Sequence, residues 1–203
     1  MAMPAYKSTK ITMSLDDFAK FCEREENRGK RMELIDGVLV EKESMMAGGA
    51  RLNHHWVSGE IFRQIGNYLV GKTCRAYMDA NVYLPDAADD TTGKIFQPDV
   101  MVGCDPQKRK QNGYQGAPDF VAEVISPSTA WYDCAIKQNY YLDNGVRELW
   151  MVNYLADRIT VYHNQTDSIQ MTNYTFADTV PVRIFDGLSI DFREIAQRLD
   201  HEF

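Results

Sequence analysis

The sequence has no long apolar run and more acidic than basic residues. No stretch approaches the length of a membrane-spanning helix, and the opening residues, MAMPAYKSTKITMS, lack the apolar core of a signal peptide. We therefore predict a cytoplasmic protein that has no membrane partner. The net charge of −7 disfavours strong non-specific attraction to nucleic acid, so a case for DNA must come from a specific site.

Cysteines are few and widely separated. The four of them form no C-x-x-C pair, which is the spacing typical of zinc and redox sites; they are Cys22, Cys74, Cys104 and Cys134. We predict reduced thiols rather than a disulfide or zinc framework, as expected for a cytoplasmic protein.

The 203 residues suffice for one domain with a sizeable core, which we place at about residues 31–199. Local patterns predict helices at residues 14–25, 53–70, 130–143 and 192–199, and an Asp-Gly hairpin at residues 36–37. Strands are predicted at residues 75–84, 95–103, 119–125, 148–153, 158–163 and 181–190. The acidic segment 85–94 and the basic KRK segment 108–110 are predicted to be solvated loops. This order indicates an α+β domain with a mixed central sheet.

One carboxylate interrupts the apolar strand in PDFVAEVISPS, residues 118–128. Glu123 would cost several kcal/mol to bury alone, and Asp99 stands in a similar apolar setting. If the two strands are neighbours, the carboxylates meet and need a cation between them, for which Mg²⁺ or Mn²⁺ is suited by its preference for oxygen ligands. The alternative is that Asp99 starts a turn and Glu123 pairs with a structural Arg or Lys.

The residues Pro98-Asp99 and Glu123-Val124-Ile125 resemble the motif of the PD-(D/E)XK nuclease superfamily. The ordered blocks RMELIDGVLV, His54, QPDVMVGCDP, GAPDFVAEVISPST, Lys137 and NGVRELWMVN resemble, over residues 33–199, the Uma-type family of bacterial restriction endonucleases. The resemblance implies a restriction-endonuclease-like fold: a central mixed sheet flanked by helices, after an N-terminal helix and hairpin, with the site at the edge of the sheet.

The resemblance also implies roles for individual residues. Asp99 and Glu123 would bind Mg²⁺ or Mn²⁺, helped by the backbone carbonyl of Val124 and by Glu33 as an auxiliary ligand. His54 would contact phosphate or water. From the residues alone, Glu33 could equally face solvent, and His54 could merely cap a helix.

One position departs from the superfamily motif. Ile125 occupies the place of its Lys, and the family resemblance points to Lys137 in the following helix as the replacement. A Lys there could orient the attacking water and balance the carboxylates. The alternative is a surface ion pair between Lys137 and Asp133, four residues apart. Tyr140 and Tyr141 are interpreted as core or rim residues.

Taken with the resemblance, the sequence predicts a metal-dependent endonuclease that hydrolyses phosphodiester bonds in DNA. A second hypothesis is a catalytically inactive restriction-endonuclease-like fold that acts as a binding or assembly module, because a fold does not guarantee activity. Cleavage of both strands of a duplex favours a symmetric homodimer.

Overall fold

The computed structural model describes residues 8–28, 30, 32–35, 38–41, 51–86, 89–125 and 136–200. Within these ranges the helices are α1 (Leu15–Glu23), α2 (Arg51–Tyr68), α3 (Gln138–Asp143) and α4 (Phe192–Ala196). The strands are β1 (Ser8–Thr12), β2 (Met32–Ile35), β3 (Val38–Glu41), β4 (Arg75–Met78), β5 (Val82–Asp86), β6 (Asp89–Phe96), β7 (Val100–Gly103), β8 (Arg109–Lys110), β9 (Gly113–Gln115), β10 (Phe120–Val124), β11 (Glu148–Asn153), β12 (Arg158–Gln165), β13 (Ser168–Tyr174), β14 (Thr179–Pro181) and β15 (Ser189–Asp191).

The strands of the described ranges form two large sheets and a small one. A seven-stranded sheet has the order β1-β3-β2-β6-β5-β9-β8, and a six-stranded sheet has the order β13-β12-β11-β10-β7-β4. In the six-stranded sheet β10 runs parallel to β11 and antiparallel to β7. The sheets are thus mixed and, with the helices, form an α+β domain of restriction-endonuclease-like fold, as predicted.

The six-stranded sheet is covered on both faces. Helix α2 packs on β4, β7 and β10, and its Val57, Ile61 and Ile65 are fully buried in one core cluster. A second cluster on the other face joins Met101 and Val121 to strands of the seven-stranded sheet and to α3. Glu123, which alternates with Val121 in β10, lies on this second face.

Local signals located the first elements correctly. The Ser14 hydroxyl accepts a hydrogen bond from the backbone N–H of Asp17 (3.1 Å), which caps α1 as predicted. Strands β2 and β3 pair antiparallel with Ile35 opposite Val38, so the hairpin is confirmed, although the turn at residues 36–37 lies outside the described residues.

Four predicted segments were wrong. Residues 75–84 form two strands in different sheets, because the chain turns at Asp79, whose φ is +50°. Residues 95–103 are likewise divided between β6 and β7 around Pro98, which cannot donate to a strand ladder. The acidic segment belongs mostly to the antiparallel pair β5–β6, and the basic segment ends in the short β8–β9 hairpin rather than in a loop.

The prediction of four reduced cysteines was also wrong. Cys74 and Cys104 form a disulfide, because β4 pairs antiparallel with β7 and Arg75 lies opposite Gly103, so that the residues next to them face each other. Cys22 is a free thiol, and burial raises its pKa to about 11. Cys134 lies outside the described residues.

The C-terminal part contains two more strands than predicted. Strands β11 and β12 are confirmed, and β13 continues the sheet beyond them. The segment predicted as one strand at 181–190 is the antiparallel pair β14–β15 with a turn between them. The predicted helix 130–143 is described only from residue 136. Across the described ranges, no helix has the length and apolar character needed to span a membrane.

Candidate functional site

Neighbouring strands bring the two predicted carboxylates together. Strand β10 pairs with β7 so that Ala122 lies opposite Val100; Glu123 follows Ala122, and Asp99 directly precedes β7. Side chains at alternate positions of a strand share a face, so Glu123 lies with Val121 on the α3 side. Asp99 is 5% exposed and Glu123 is 1% exposed.

The Asp99 carboxylate is held by a backbone donor and an imidazole. Its Oδ2 accepts a hydrogen bond from the N–H of Val124 at 2.8 Å. The Nε2 of His54, in the first turns of α2, lies 3.3 Å from the same oxygen, and the His54 side chain is buried. Asp99 is therefore fixed by the strand that carries Glu123 and by the helix on the opposite face.

A fully buried ammonium group joins the other two carboxylates. The Nζ of Lys137 lies 2.9 Å from Oε1 of Glu123 and 2.9 Å from Oε1 of Glu33. Lys137 and Glu33 have no exposed surface. Buried charges persist when they are paired and hydrogen-bonded, and this three-residue arrangement meets that condition.

Two further groups complete the hydrogen bonding. Tyr141 donates its hydroxyl to Oε1 of Glu123 at 2.9 Å, and burial followed by the charge of Glu123 raises the pKa of Tyr141 well above its usual value. The hydroxyl is thus protonated at neutral pH and acts as a donor. The backbone N–H of Gln97 donates to Oε1 of Glu33 at 3.0 Å.

The structure brings the sequence-predicted side chains into two adjoining groups, Asp99 with His54 and Glu123 with Lys137 and Glu33. The complete burial of Lys137 excludes the surface ion pair considered above, and the burial of Glu33 excludes a solvent-facing side chain. Tyr141 was missed as a site residue, although its position four residues after Lys137 puts both on one side of a helix.

The metal-binding capacity of the site depends on two carboxylates. Among the residues that the structure describes, no three His, Cys, Asp or Glu side chains form a group that could hold a metal ion. Mg²⁺ is commonly bound through one or two carboxylates, with waters and substrate phosphate supplying the other oxygens. The oxygen donors of Asp99 and Glu123 therefore fit Mg²⁺ or Mn²⁺, and they do not fit a zinc site closed by four side chains.

Comparison with known proteins identifies the family. The model of the Uma2 family, described as "Putative restriction endonuclease", matches residues 15–193. The chain belongs to the Uma2 family. This membership agrees with the resemblance noted in the sequence and supports a nuclease-like role.

One sequence relative and one solved structure extend the comparison. The Uma2 chain is 29% identical over 173 residues to the uncharacterized protein slr1290 of Synechocystis sp., covering 84% of this chain and 85% of that protein. A crystal structure from Anabaena variabilis, described as a "putative nuclease belonging to DUF820", superposes with a TM-score of 0.69. It covers 92% of this chain and 99% of that chain at 21% identity, and it shows that the two share a fold.

Proposed function

We propose that this protein is a metal-dependent endonuclease that hydrolyses phosphodiester bonds in DNA. The observations that support the proposal are the contact of Lys137 Nζ with Glu123 and the hydrogen bond from the N–H of the next residue, Val124, to Asp99; Asp, Glu and Lys are the three kinds of residue in the PD-(D/E)XK motif. Family membership supports the same chemistry. The Lys reaches the site from the segment before α3, and its Nζ lies 2.9 Å from the Glu carboxylate.

Asp99 and Glu123 would hold Mg²⁺ or Mn²⁺ with the backbone carbonyl of Val124. A divalent ion bound there supplies polarisation of the phosphate and lowers the pKa of a bound water. The chain itself keeps the ligands in place: the Val124 N–H and His54 hold Asp99, and Tyr141 and Lys137 hold Glu123. Fixed ligands reduce the reorganisation needed during the reaction.

Lys137 would orient the attacking water and stabilise the negative charge that develops on the phosphate. Glu33 would act mainly by positioning Lys137, because its Oε1 contacts both the ammonium and the Gln97 N–H. A role of Glu33 as an auxiliary metal ligand and contact of His54 with phosphate stay predictions from the family resemblance.

The inactive binding or assembly module remains the second candidate. Two observations favour it: the net charge is −7, and Lys137 and Tyr141 both donate to Oε1 of Glu123, which a structural ion pair would also explain. Metal binding separates the two candidates, because a binding module has no need for Asp99 and Glu123 to hold Mn²⁺. The homodimer and the cytoplasmic location stay predictions.

The test is plasmid nicking in Mg²⁺ by the wild type, Asp99→Asn and Glu123→Gln, with circular dichroism to verify folding. We expect the wild type to nick DNA only when Mg²⁺ or Mn²⁺ is added, and both folded variants to be inactive. Full activity in both variants would show that the active site is elsewhere. Absence of nicking by wild type together with absence of Mn²⁺ binding in calorimetry would favour the binding module.

A further inference from the structure

A cavity of about 270 Å³ lies where the turn between β4 and β5 meets the β8–β9 hairpin. Its walls include Tyr77, Met101 and Tyr114 as apolar surfaces and Arg109 and Lys110 as cationic ones. Of the described residues that line it, none is acidic. In a chain with net charge −7, this is a local concentration of positive charge next to aromatic rings.

Contacts within the chain hold the cavity open and fixed. The Tyr114 N–H donates to the Asn81 carbonyl at 2.8 Å, and the Asn81 side chain donates to the Asn112 carbonyl at 3.3 Å. Gly113 has φ +148°, and a Cβ there would lie 2.4 Å from the Asn81 oxygen. The Tyr114 ring packs onto Gly103 so closely that a Cβ on Gly103 would overlap it. The hairpin therefore has little freedom to close the cavity.

Arg109 supplies a positioned donor. Its Nη2 donates to the carbonyls of Thr73 and Gly103, the residues that directly precede the disulfide cysteines Cys74 and Cys104. The guanidinium is thus anchored to two cross-linked strands. Its Nε is buried and has no hydrogen-bond acceptor among the described residues. A buried N–H without an acceptor costs free energy, and because Nε is buried, a ligand could contact the guanidinium only at its terminal nitrogens. Arg109 and Lys110 form the cationic part of the cavity wall.

Two residues in the cavity wall, Tyr77 and Met101, lie on the face of the six-stranded sheet that also carries Glu123. Met101 follows Asp99 by two residues, roughly 7 Å along the strand, and lies opposite Tyr77. Asn81 in the cavity wall accepts a hydrogen bond from the Gln97 side chain at 2.8 Å, and the Gln97 N–H contacts Glu33. A DNA strand whose phosphate reached Asp99 would place an adjacent nucleotide at the cavity.

We infer that this cavity binds one unstacked nucleotide of the DNA strand presented to the carboxylates, an inference that rests on the proposed function. Tyr77 would contact the base, since base–aromatic stacking is available to every base, and the buried Tyr114, packed on Gly103, would form the wall behind it. Arg109 and Lys110 would bind the phosphate through charge-assisted hydrogen bonds. The volume lies just below the range of pockets for drug-sized ligands, so one nucleotide fits and a base pair does not. The substrate class is accordingly DNA with an unpaired or flipped nucleotide.

The experiment is an NMR titration of ¹⁵N-labelled full-length protein with thymidine 5′-monophosphate, in chelator so that no cleavage occurs. Thymidine and inorganic phosphate are titrated in parallel. The variants are Lys110→Gln, at an exposed position that leaves the fold intact, and Tyr77→Leu. Lys20→Gln is the matched control, because its side chain is 76% exposed on α1 and the charge change is the same.

We expect the nucleotide to shift the amides of residues 77–81 and 110–114, and to bind about tenfold more tightly than thymidine or phosphate alone. Lys110→Gln and Tyr77→Leu should each weaken binding by about tenfold, and Lys20→Gln should not. Equal binding of phosphate and nucleotide, shifts located elsewhere, or identical affinities in Lys110→Gln and Lys20→Gln would overturn the inference.

The result is separable from the proposed function. If plasmid nicking depends on Glu123 but no nucleotide binds in the cavity, the inference fails and the active site stands. If the nucleotide binds as described but no variant or condition yields nicking, the cavity assignment stands and the endonuclease proposal fails. A cleavage assay adds a third readout: single-stranded or gapped DNA should be cut faster than intact duplex, and Lys110→Gln should reduce that preference.

Discussion

Two buried glutamates on neighbouring parallel strands have different partners. Glu123 of β10 lies on the α3 face and shares its Oε1 between an ammonium group and a phenol. Glu148 of β11 has no exposed surface and accepts hydrogen bonds from the indole N–H of Trp150 at 2.7 Å and the backbone N–H of Ile184 at 3.0 Å. Burial raises the pKa of Glu148 above its ordinary value of 4.5.

The difference lies in what the partners can do. The donors to Glu148 are neutral and belong to the core and to the turn between β14 and β15, so this carboxylate ties that turn to the sheet. Glu123 lies among ionisable groups, including Lys137 and, on the adjacent strand, Asp99. A buried acidic residue in an apolar strand is therefore not evidence of catalysis by itself. The chemistry of the neighbouring groups distinguishes Glu123, in the candidate site, from Glu148, which we call the structural anchor.

The largest expected effect separates the two glutamates by activity. Glu123→Gln should reduce Mg²⁺-dependent nicking of plasmid DNA by about 10³-fold, because it removes a proposed metal ligand and a partner of Lys137. Glu148→Gln should leave the rate of the folded protein within about twofold. Initial nicking rates, normalised to the folded fraction, give the comparison. Equal losses of nicking rate in the two variants would contradict the distinction between Glu123 as a site residue and Glu148 as a structural residue.

Lys137→Met tests the ion pairs at Glu123. The substitution leaves Glu33 and Glu123 buried without their ammonium, so the free energy of unfolding should fall by about 3–5 kcal/mol. Lys20→Met, which breaks an exposed pair with Asp17, should change it by less than about 1 kcal/mol. Urea unfolding in chelator provides both values. A Lys137→Met variant as stable as the wild type would contradict the buried ion pairs.

Glu148→Gln tests the anchor. If the side-chain oxygen of the introduced Gln keeps the hydrogen bond from Trp150, its NH₂ group faces the N–H of Ile184, and two donors then point at each other. The free energy of unfolding should therefore fall by about 1–2 kcal/mol.

The pH dependence of this variant has a defined sign. The pKa of Glu148 is higher in the folded protein than its ordinary value of 4.5. Between these two pKa values, Glu148 is therefore protonated to a larger fraction in the folded protein than in the unfolded chain. The stability that this group contributes is therefore lost as pH rises from the unfolded toward the folded pKa. The free energy of unfolding of the wild type, relative to that of Glu148→Gln, should be larger at pH 4 than at pH 7, as measured by urea unfolding curves. The opposite trend would mean that the hydrogen bonds to Glu148 and the charge of Arg183, which lower its pKa, outweigh the effect of burial.

The smallest expected effect concerns the phenol at Glu123. Tyr141→Phe removes one hydrogen bond to the carboxylate and should cost about 1 kcal/mol of stability and lower the nicking rate by about tenfold. Tyr68→Phe is the control, since its hydroxyl donates to the Asp186 carbonyl on the other side of the sheet. If both variants nick DNA equally well, Tyr141 is a core residue without influence on Glu123.

Local signals predicted part of this fold, and sheet register decided the rest. The cap at Ser14 acts within one turn of chain, and the strand around Glu123 is marked by its own apolar residues. The turn at Asp79 was missed because the apolar pattern continues on both sides of it, although Asp and Asn are typical turn residues. Cys74 meets Cys104 only because β4 pairs with β7, a pairing that no local pattern specifies.

The residues of the candidate site also differ in how far the sequence alone could predict them. Asp99 and Glu123 could be predicted from their motif, and Lys137 only from the family resemblance, because Ile125 occupies the expected position. The role of Tyr141 could have been found from its helical spacing to Lys137. The backbone N–H of Gln97, which holds Glu33, could not have been predicted, since it depends on how β2 and β6 meet.

Anomalous diffraction from crystals grown with Mn²⁺ tests the central claim most directly, because it locates the ion without requiring activity. The account predicts a peak at about 2.0–2.2 Å from carboxylate oxygens of both Asp99 and Glu123, absent in Glu123→Gln and present in Glu148→Gln. A wild-type crystal that has no peak at these carboxylates, with the Lys137 ion pairs intact, would contradict the metal-dependent site.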